Sequence, residues 1–182
     1  RLNAMIGWLP NQPDPERLDG SAIATTEHFQ LAIDLAHTLA NAAEAAMVEI
    51  TLETHMRTIH DTATAVVHIL DSVSSTSLRA NFDPGNMYSC AHAESPKEAV
   101  QQLTKYLTYV HLKNCRNVGG QFDYHWPLSA GDIDYRSLVQ AIIASGFRGP
   151  YCIEYSGAGD RDYVSQRDIE YFRDLIADFD VE

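Results

Sequence analysis

Four segments of this chain alternate apolar and polar residues with a period of two, and each leads into a side chain able to bind a cation. In Val48-Glu49-Ile50-Thr51-Leu52-Glu53-Thr54-His55, the residues Val48, Ile50 and Leu52 point one way, and Glu49, Thr51, Glu53 and His55 point the other. Leu78 to Asp83 repeats the pattern and ends in Asp83. Tyr109 to Lys113 places His111 and Lys113 on one polar face, and Tyr151 to Glu154 ends in Glu154. A period of two marks a strand with two unlike faces. The chain is therefore expected to bring Glu53, Asp83, His111 and Glu154 together.

Helical patterns separate these strands. Apolar residues recur at Phe29, Ile33, Ala36, Leu39, Ala43 and Met47, which predicts a helix from about Thr25 to Met47 with one buried face. A second helix is predicted from about Thr58, with Thr58 and Asp61 spaced as a capping pair, and burying Ala63, Val66, Val67, Leu70 and Val73. Ser95-Pro96-Lys97-Glu98 is a strong helix start, followed by Val100, Leu103, Tyr106 and Leu107 as its buried face. Asp132 or Asp134 caps a further helix that ends at Gly146, and Ile169, Phe172, Leu175, Ile176 and Phe179 stripe the last one. The segments 8–20 and 114–131 read as loops, and Asp83-Pro84-Gly85-Asn86 as a turn. Leu2 to Gly7 reads as one more strand, and the acid-rich stretch from Asp174 to Glu182 as a solvated helix end.

Strand and helix thus alternate about five times, which implies parallel pairing with right-handed crossovers. A doubly wound sheet would want strands apolar on both faces, because helices cover both. Here one face of each strand is polar and its charged residues lie at the C-terminal end. That favours a (β/α)8 TIM barrel, whose inward faces meet at a site. About five of its eight strand–helix units are visible, so residues 1–182 read as one partial barrel. On this reading the start at Arg1, followed at once by an apolar strand, implies missing N-terminal strands, or else a homo-oligomer that closes the barrel.

Composition narrows the partners. A formal net charge of -12 argues against a nucleic-acid backbone or an anionic membrane surface. Three widely spaced cysteines without a CxxC pair suit a reducing compartment, and no run approaches the ~20 apolar residues of a membrane span. A cytoplasmic location follows as an expectation. Cys115 has no identifiable base partner and reads as a bystander. His28, His37, His60, His68, His92 and His125 share no spacing and read as surface or helix residues.

Three carboxylates and one imidazole form a hard, oxygen-rich ligand set. It suits Mn2+, Mg2+ or Co2+ in roughly octahedral geometry, with positions left for two substrate oxygens. Around it, His55 shares the inward face of Glu53 and could bond a substrate hydroxyl or serve a structural role. Lys113 could hold a carboxylate, phosphate or enediolate oxygen. Asn86 could touch substrate or simply finish the Asp83 turn. Trp8 and Trp126 follow strands at the site end, suited either to lining an apolar face of a bound substrate or to packing loops.

The segments Leu52-Glu53-Thr54-His55, Phe82-Asp83-Pro84-Gly85-Asn86, Val110-His111-Leu112-Lys113-Asn114, Gly131-Asp132-Ile133-Asp134 and Gly149-Pro150-Tyr151-Cys152-Ile153-Glu154 together resemble the sugar phosphate isomerase/epimerase family. These are xylose-isomerase-like barrels that include ketose 3-epimerases and, more remotely, endonuclease IV. The resemblance runs from about residue 25 to the end. It implies that Glu53, Asp83, His111 and Glu154 lie on the fifth to eighth strands and hold one divalent ion, Mn2+ first, with Mg2+, Co2+ or Zn2+ as alternatives. It implies a small sugar as substrate and Glu53 and Glu154 as the acid/base pair of an isomerase or epimerase, with a lyase, a non-catalytic binding protein or a truncated chain as the other readings. Three positions depart from the family. Asn86 stands where ketose 3-epimerases have a histidine, Ser129-Ala130-Gly131 replaces a Gly-Glu-Gly, and the place of an epimerase arginine falls on Asn117, with Arg116 beside it as a candidate substrate contact.

Overall fold

A computed structural model describes residues 1–9, 19–90 and 92–179. Most of the loop read at 8–20 and the last three residues of the acidic tail lie outside the described residues. Five strands, β1 (Leu2–Ala4), β2 (Ile50–Glu53), β3 (Leu78–Phe82), β4 (Leu107–Leu112) and β7 (Tyr151–Ile153), form one all-parallel sheet in the order β1-β2-β3-β4-β7. The partial-barrel expectation holds, and β1 and β7 are the edges of the sheet.

The outer face of the sheet is apolar for the reason the alternation gave. Ile50, Leu52, Leu78, Ala80, Phe82, Val110 and Leu112 are buried beneath helices α1 (Thr26–Ala46), α2 (Ala63–Val73), α4 (Pro96–Leu103), α5 (Tyr135–Ala144) and α6 (Arg161–Phe179), with the short α3 (Pro84–Tyr88) between β3 and α4. Neighbouring long helices pack side by side in chain order. On α1 the fully buried stripe is Ala32, Ala36, Ala40 and Ala43, so small side chains let this helix lie close to the sheet, while Phe29, Ile33 and Leu39 are only partly covered. Met47, expected on that stripe, is 94% exposed. The helix ends at Ala46, and Met47 takes the left-handed conformation of a C-cap at φ 53°.

Other boundaries moved for local reasons. The second helix begins at Ala63, not near Thr58. Thr62 caps it by accepting from Ala65 N–H, while Thr58 Oγ1 donates to the His55 carbonyl and Asp61 accepts from Gly20 and Ser21 N–H. The capping box at Ser95 and Glu98 is present, but α4 stops at Leu103, and Leu107 already belongs to β4. Asp134, not Asp132, caps α5, with Ser137 N–H as its donor. No helix among the described residues is long and apolar enough to cross a membrane.

The largest correction concerns the segment 114–131, expected as a loop. It contains an antiparallel hairpin, β5 (Asn114–Val118) and β6 (Gln121–Trp126), turned by Gly119 and Gly120 at φ 63° and 89°. Two adjacent positive φ values are what a tight two-residue hairpin turn requires, and glycine adopts them without strain. Asn114 fastens the hairpin to the segment before α5. Its amide donates to the Leu128 and Ile133 carbonyls at 2.7 and 3.2 Å, and its oxygen accepts from Cys115 and Ile133 N–H at 2.9 and 3.1 Å. Gly131 leaves room for it, since a Cβ there would meet the Asn114 carboxamide at 2.1 Å. Asn114→Ala would leave several buried backbone groups unpaired, and we predict a loss on the order of 3 kcal/mol in urea unfolding at neutral pH. A change below ~0.5 kcal/mol would mean that the hairpin is fastened elsewhere.

Candidate metal centre

Each of the four expected groups stands at or just beyond the C-terminal end of its strand. Glu53 closes β2, Asp83 follows β3, His111 is the penultimate residue of β4, and Glu154 follows β7. One ligand atom from each lies within 4.8 Å of all the others. β2 and β7 are three strand steps apart, roughly 14 Å in a flat sheet. Their side chains meet because the sheet curls toward its polar face.

His111 Nδ1 occupies the middle of the group, 2.9 Å from Glu154 Oε2, 3.5 Å from Glu53 Oε2 and 3.8 Å from Asp83 Oδ2. The nitrogen is buried yet has no aligned hydrogen bond, so even the 2.9 Å approach is an ion pair only. Burial works against charge on this imidazole, but Asp83, Glu154 and Glu53 outweigh it and push its pKa up to about 12. The other three groups respond to the same crowding. Burial raises the pKa of Asp83, which is fully enclosed. Burial also acts to raise Glu154, but His111 and Lys113 overcome it and bring that carboxyl to about 2. Glu53 ends below its ordinary value, because His111 and Asn3 outweigh its burial.

A frame of amides and one ammonium holds the carboxylates. Asn86 Nδ2 donates to Glu53 Oε1 at 2.8 Å and to Asp83 Oδ2 at 2.9 Å, and Asn86 N–H donates to Asp83 Oδ1 at 2.8 Å. Glu53 Oε2 accepts from Asn3 Nδ2 and from Asn81 Nδ2, the latter at 3.4 Å. Lys113 Nζ reaches Glu154 Oε1 at 2.5 Å, Asn86 Oδ1 at 3.1 Å and Asp83 Oδ2 at 3.8 Å. Gly85 permits this packing, since a Cβ there would meet Lys113 Cγ and its carbonyl oxygen at 2.8 Å.

The donor set fits a divalent cation on two counts. Three carboxylates and one ammonium sum to −3 + 1 = −2, which a doubly charged ion balances when His111 is neutral. The unaligned His111 Nδ1 faces the three carboxylate oxygens, as a lone pair aimed at a shared ion would.

The remaining candidates separate into two groups. Asn86 and Lys113 belong to the cluster, and Asn86 both completes the Asp83 cap and braces Glu53, so the two roles weighed for it are not exclusive. The other four pair with each other. The Trp8 and His55 rings lie 5.6 Å apart, with Trp8 half exposed and His55 Nδ1 2.9 Å from the Met56 carbonyl oxygen. The Arg116 guanidinium stacks 4.1 Å over Trp126, with Asp132 Oδ1 at 3.8 Å from Arg116 Nε, and Trp126 Nε1 donates to Asp123. Cys115 is fully buried and its thiol is pushed up to about 12 by burial, as suits a bystander.

Sequence reasoning missed three residues. Asn3 and Asn81 stand on the same inner faces as Glu53, and the strand alternation alone could have placed them there. His60, expected on a surface or helix, is fully buried and hydrogen-bonds the Glu53 carbonyl oxygen at 2.6 Å. A second group, Asp19, Asp61 and Cys90, also lies close together and buried, with the Asp61 carboxylate taken up by the backbone N–H groups of Gly20 and Ser21.

The fold is shared with solved structures. A xylose isomerase-like TIM barrel protein from Mycobacterium smegmatis, in complex with magnesium, is 21% identical at a TM-score of 0.71, and the match covers 96% of this chain and 60% of that one. A D-allulose 3-epimerase from Methylomonas sp. is 18% identical at a TM-score of 0.73, over 94% of this chain and 60% of the other. A probable 3-DHS dehydratase from Bacillus anthracis is 19% identical at 0.69, over 85% and 60%. This chain therefore spans about 60% of the length of these structures. No match is found among curated proteins. Residues 2–175 match the family described as xylose isomerase-like TIM barrel, so nearly the whole sequence agrees with what the strand order and the clustered side chains indicate. The chain belongs to the xylose isomerase-like TIM barrel family.

Proposed function

We propose that this chain carries the metal-binding half of a divalent-metal-dependent isomerase or epimerase acting on a ketose or a related sugar. The observation that carries the reading is the convergence of Glu53, Asp83, His111 and Glu154 within 4.8 Å at four strand ends. Those four residues would hold one ion, Mn2+ first, with Mg2+, Co2+ or Zn2+ as alternatives. When bound, the ion supplies Lewis-acid polarisation of a carbonyl and its neighbouring hydroxyl, which acidifies the hydrogen on carbon beside them.

The two glutamates are not equivalent in this chemistry. Both Glu53 oxygens already accept amide N–H groups, and the residue is 4% exposed. Glu154 has a side chain 36% exposed and faces Lys113 and His111. Glu154 is thus the better placed to take the proton from carbon, and Glu53 would return one from its enclosed side after exchanging an amide contact for a proton. Lys113, held at 2.5 Å from Glu154, keeps a positive charge next to the negative charge that develops on the substrate. The similarity to a D-allulose 3-epimerase supports this reading at the level of the fold. A lyase reading uses the same groups, with Lys113 placed beside Glu154 where a departing hydroxyl needs a cation, and the fold shared with a probable 3-DHS dehydratase supports it. Product analysis separates the two.

Metal binding gives the first test. His111 holds a proton at neutral pH while the carboxylates surround it without an ion, and a coordinated imidazole must lose that proton. Titration calorimetry of Mn2+ at pH 7, in buffers of different ionisation enthalpy, should show about one proton released per ion. Uptake with no proton released would show that His111 is already neutral or is not a ligand.

Chemistry gives the second. Glu154→Gln should abolish solvent deuterium incorporation at the reacting carbon of a ketose substrate while most of the ion stays bound. Exchange at the wild-type rate in that variant would remove Glu154 from the proton transfer.

A further inference from the structure

The parallel ladder between β1 and β2 runs only as far as Ala4 and Leu52. Just beyond, the His60 ring stands between the two chains. Ile6 N–H donates to His60 Nε2 at 2.8 Å, and His60 Nδ1 lies 2.6 Å from the carbonyl oxygen of Glu53. A backbone N–H can only donate, so Nε2 is the acceptor. A carbonyl can only accept, so Nδ1 carries the hydrogen. The imidazole thus relays one ladder bond, from Ile6 N–H through the ring to the Glu53 carbonyl. The ring is wholly enclosed, the His60 backbone N–H donates to Thr58 Oγ1 at 3.3 Å, and Ile59 N–H reaches the Gly7 carbonyl at 3.0 Å beside it.

The other flank of the same peptide is fixed as firmly. Thr54 Oγ1 donates to the Asp83 carbonyl at 3.1 Å and accepts from Asp83 N–H at 2.8 Å, while Thr54 N–H donates to the Asn81 carbonyl at 3.0 Å. Between these clamps the main chain of Glu53 has little freedom to turn, and its carboxylate leaves the strand in one direction.

We propose that His60 is a positioning residue for the cation centre: by holding the Glu53 carbonyl against Ile6, its ring fixes where the Glu53 carboxylate meets the ion. The inference rests on the reading of Glu53 as a ligand. A side chain that merely filled the gap between strands would need bulk alone, whereas this one needs a donor and an acceptor on opposite edges of a rigid ring. Outer-sphere partners of this kind govern affinity because they orient the group that binds.

Mn2+ binding, followed by electron paramagnetic resonance, tests this without any substrate. His60→Ala should bind Mn2+ about tenfold or more weakly than wild type, with a changed spectrum of the bound ion. His60→Gln, which again offers a donor and an acceptor, should regain much of the affinity. Val66→Ala, a packing loss at a fully buried position of α2, should bind as wild type does. A folded His60→Ala with wild-type affinity overturns the inference, and so does an equal loss in Val66→Ala, since the effect would then be general destabilisation. If the alanine variant does not fold, His60→Gln and His60→Asn carry the test. Their carboxamides differ in reach, so they should differ from each other in affinity, and identical wild-type values for both overturn the inference. A wild-type chain that takes up no Mn2+ removes the metal reading itself, and this inference with it.

Discussion

Carboxylates 4.8 Å or less apart, two of them shut off from water, repel one another strongly. Glu53, Asp83 and Glu154 are held in that arrangement, and the rest of the structure around them answers to it. One ammonium from Lys113 offsets a single charge. Amides from Asn3, Asn81 and Asn86 supply hydrogen bonds to oxygens that water cannot reach, and His111 takes up a proton. With the imidazole neutral, Lys113 alone leaves the cluster two positive charges short of balance. A cation of charge two is the simplest way to close that gap. The curl of the sheet, the cap at Asp83 and the absence of a side chain at Gly85 all serve to make the crowding possible.

The same crowding distinguishes groups of identical chemistry. Glu53 and Glu154 differ in what their oxygens touch. Amide donors engage Glu53 on both oxygens in a dry pocket, while Glu154 stands at the open side between two cations. Glutamates in such different surroundings need not share work equally. The asymmetry comes from three asparagines, and two of them, Asn3 and Asn81, lie on inner strand faces one layer from the ligands.

Much of this was legible in the sequence. The alternation in 48–55, 78–83, 109–113 and 151–154 placed the four clustered side chains at strand ends, because a half-polar strand leaves only one way to bury its other face. What escaped was of two kinds. The hairpin from Asn114 to Trp126 carried a local signal, Gly119-Gly120 followed by alternating Phe122, Tyr124 and Trp126, which a loop reading passed over. His60, by contrast, carried no local signal. Its partners are two backbone groups, one of them 54 residues away, and a side chain's spacing says nothing about the main chain it will bridge. The shift of the α2 cap from Thr58 to Thr62 belongs to the same kind, since Thr58 and Asp61 were drawn away by contacts with His55 and with Gly20 and Ser21.

Asn3 sits on β1, the outermost strand on that side of the sheet among the described residues, and its amide grips Glu53 directly. The rim of the sheet and the carboxylate cluster are therefore one side chain apart. A displacement of β1 would shift the Asn3 amide and, through its hydrogen bond, the Glu53 carboxylate behind it. The margin of the sheet and the carboxylate cluster are coupled through a single carboxamide.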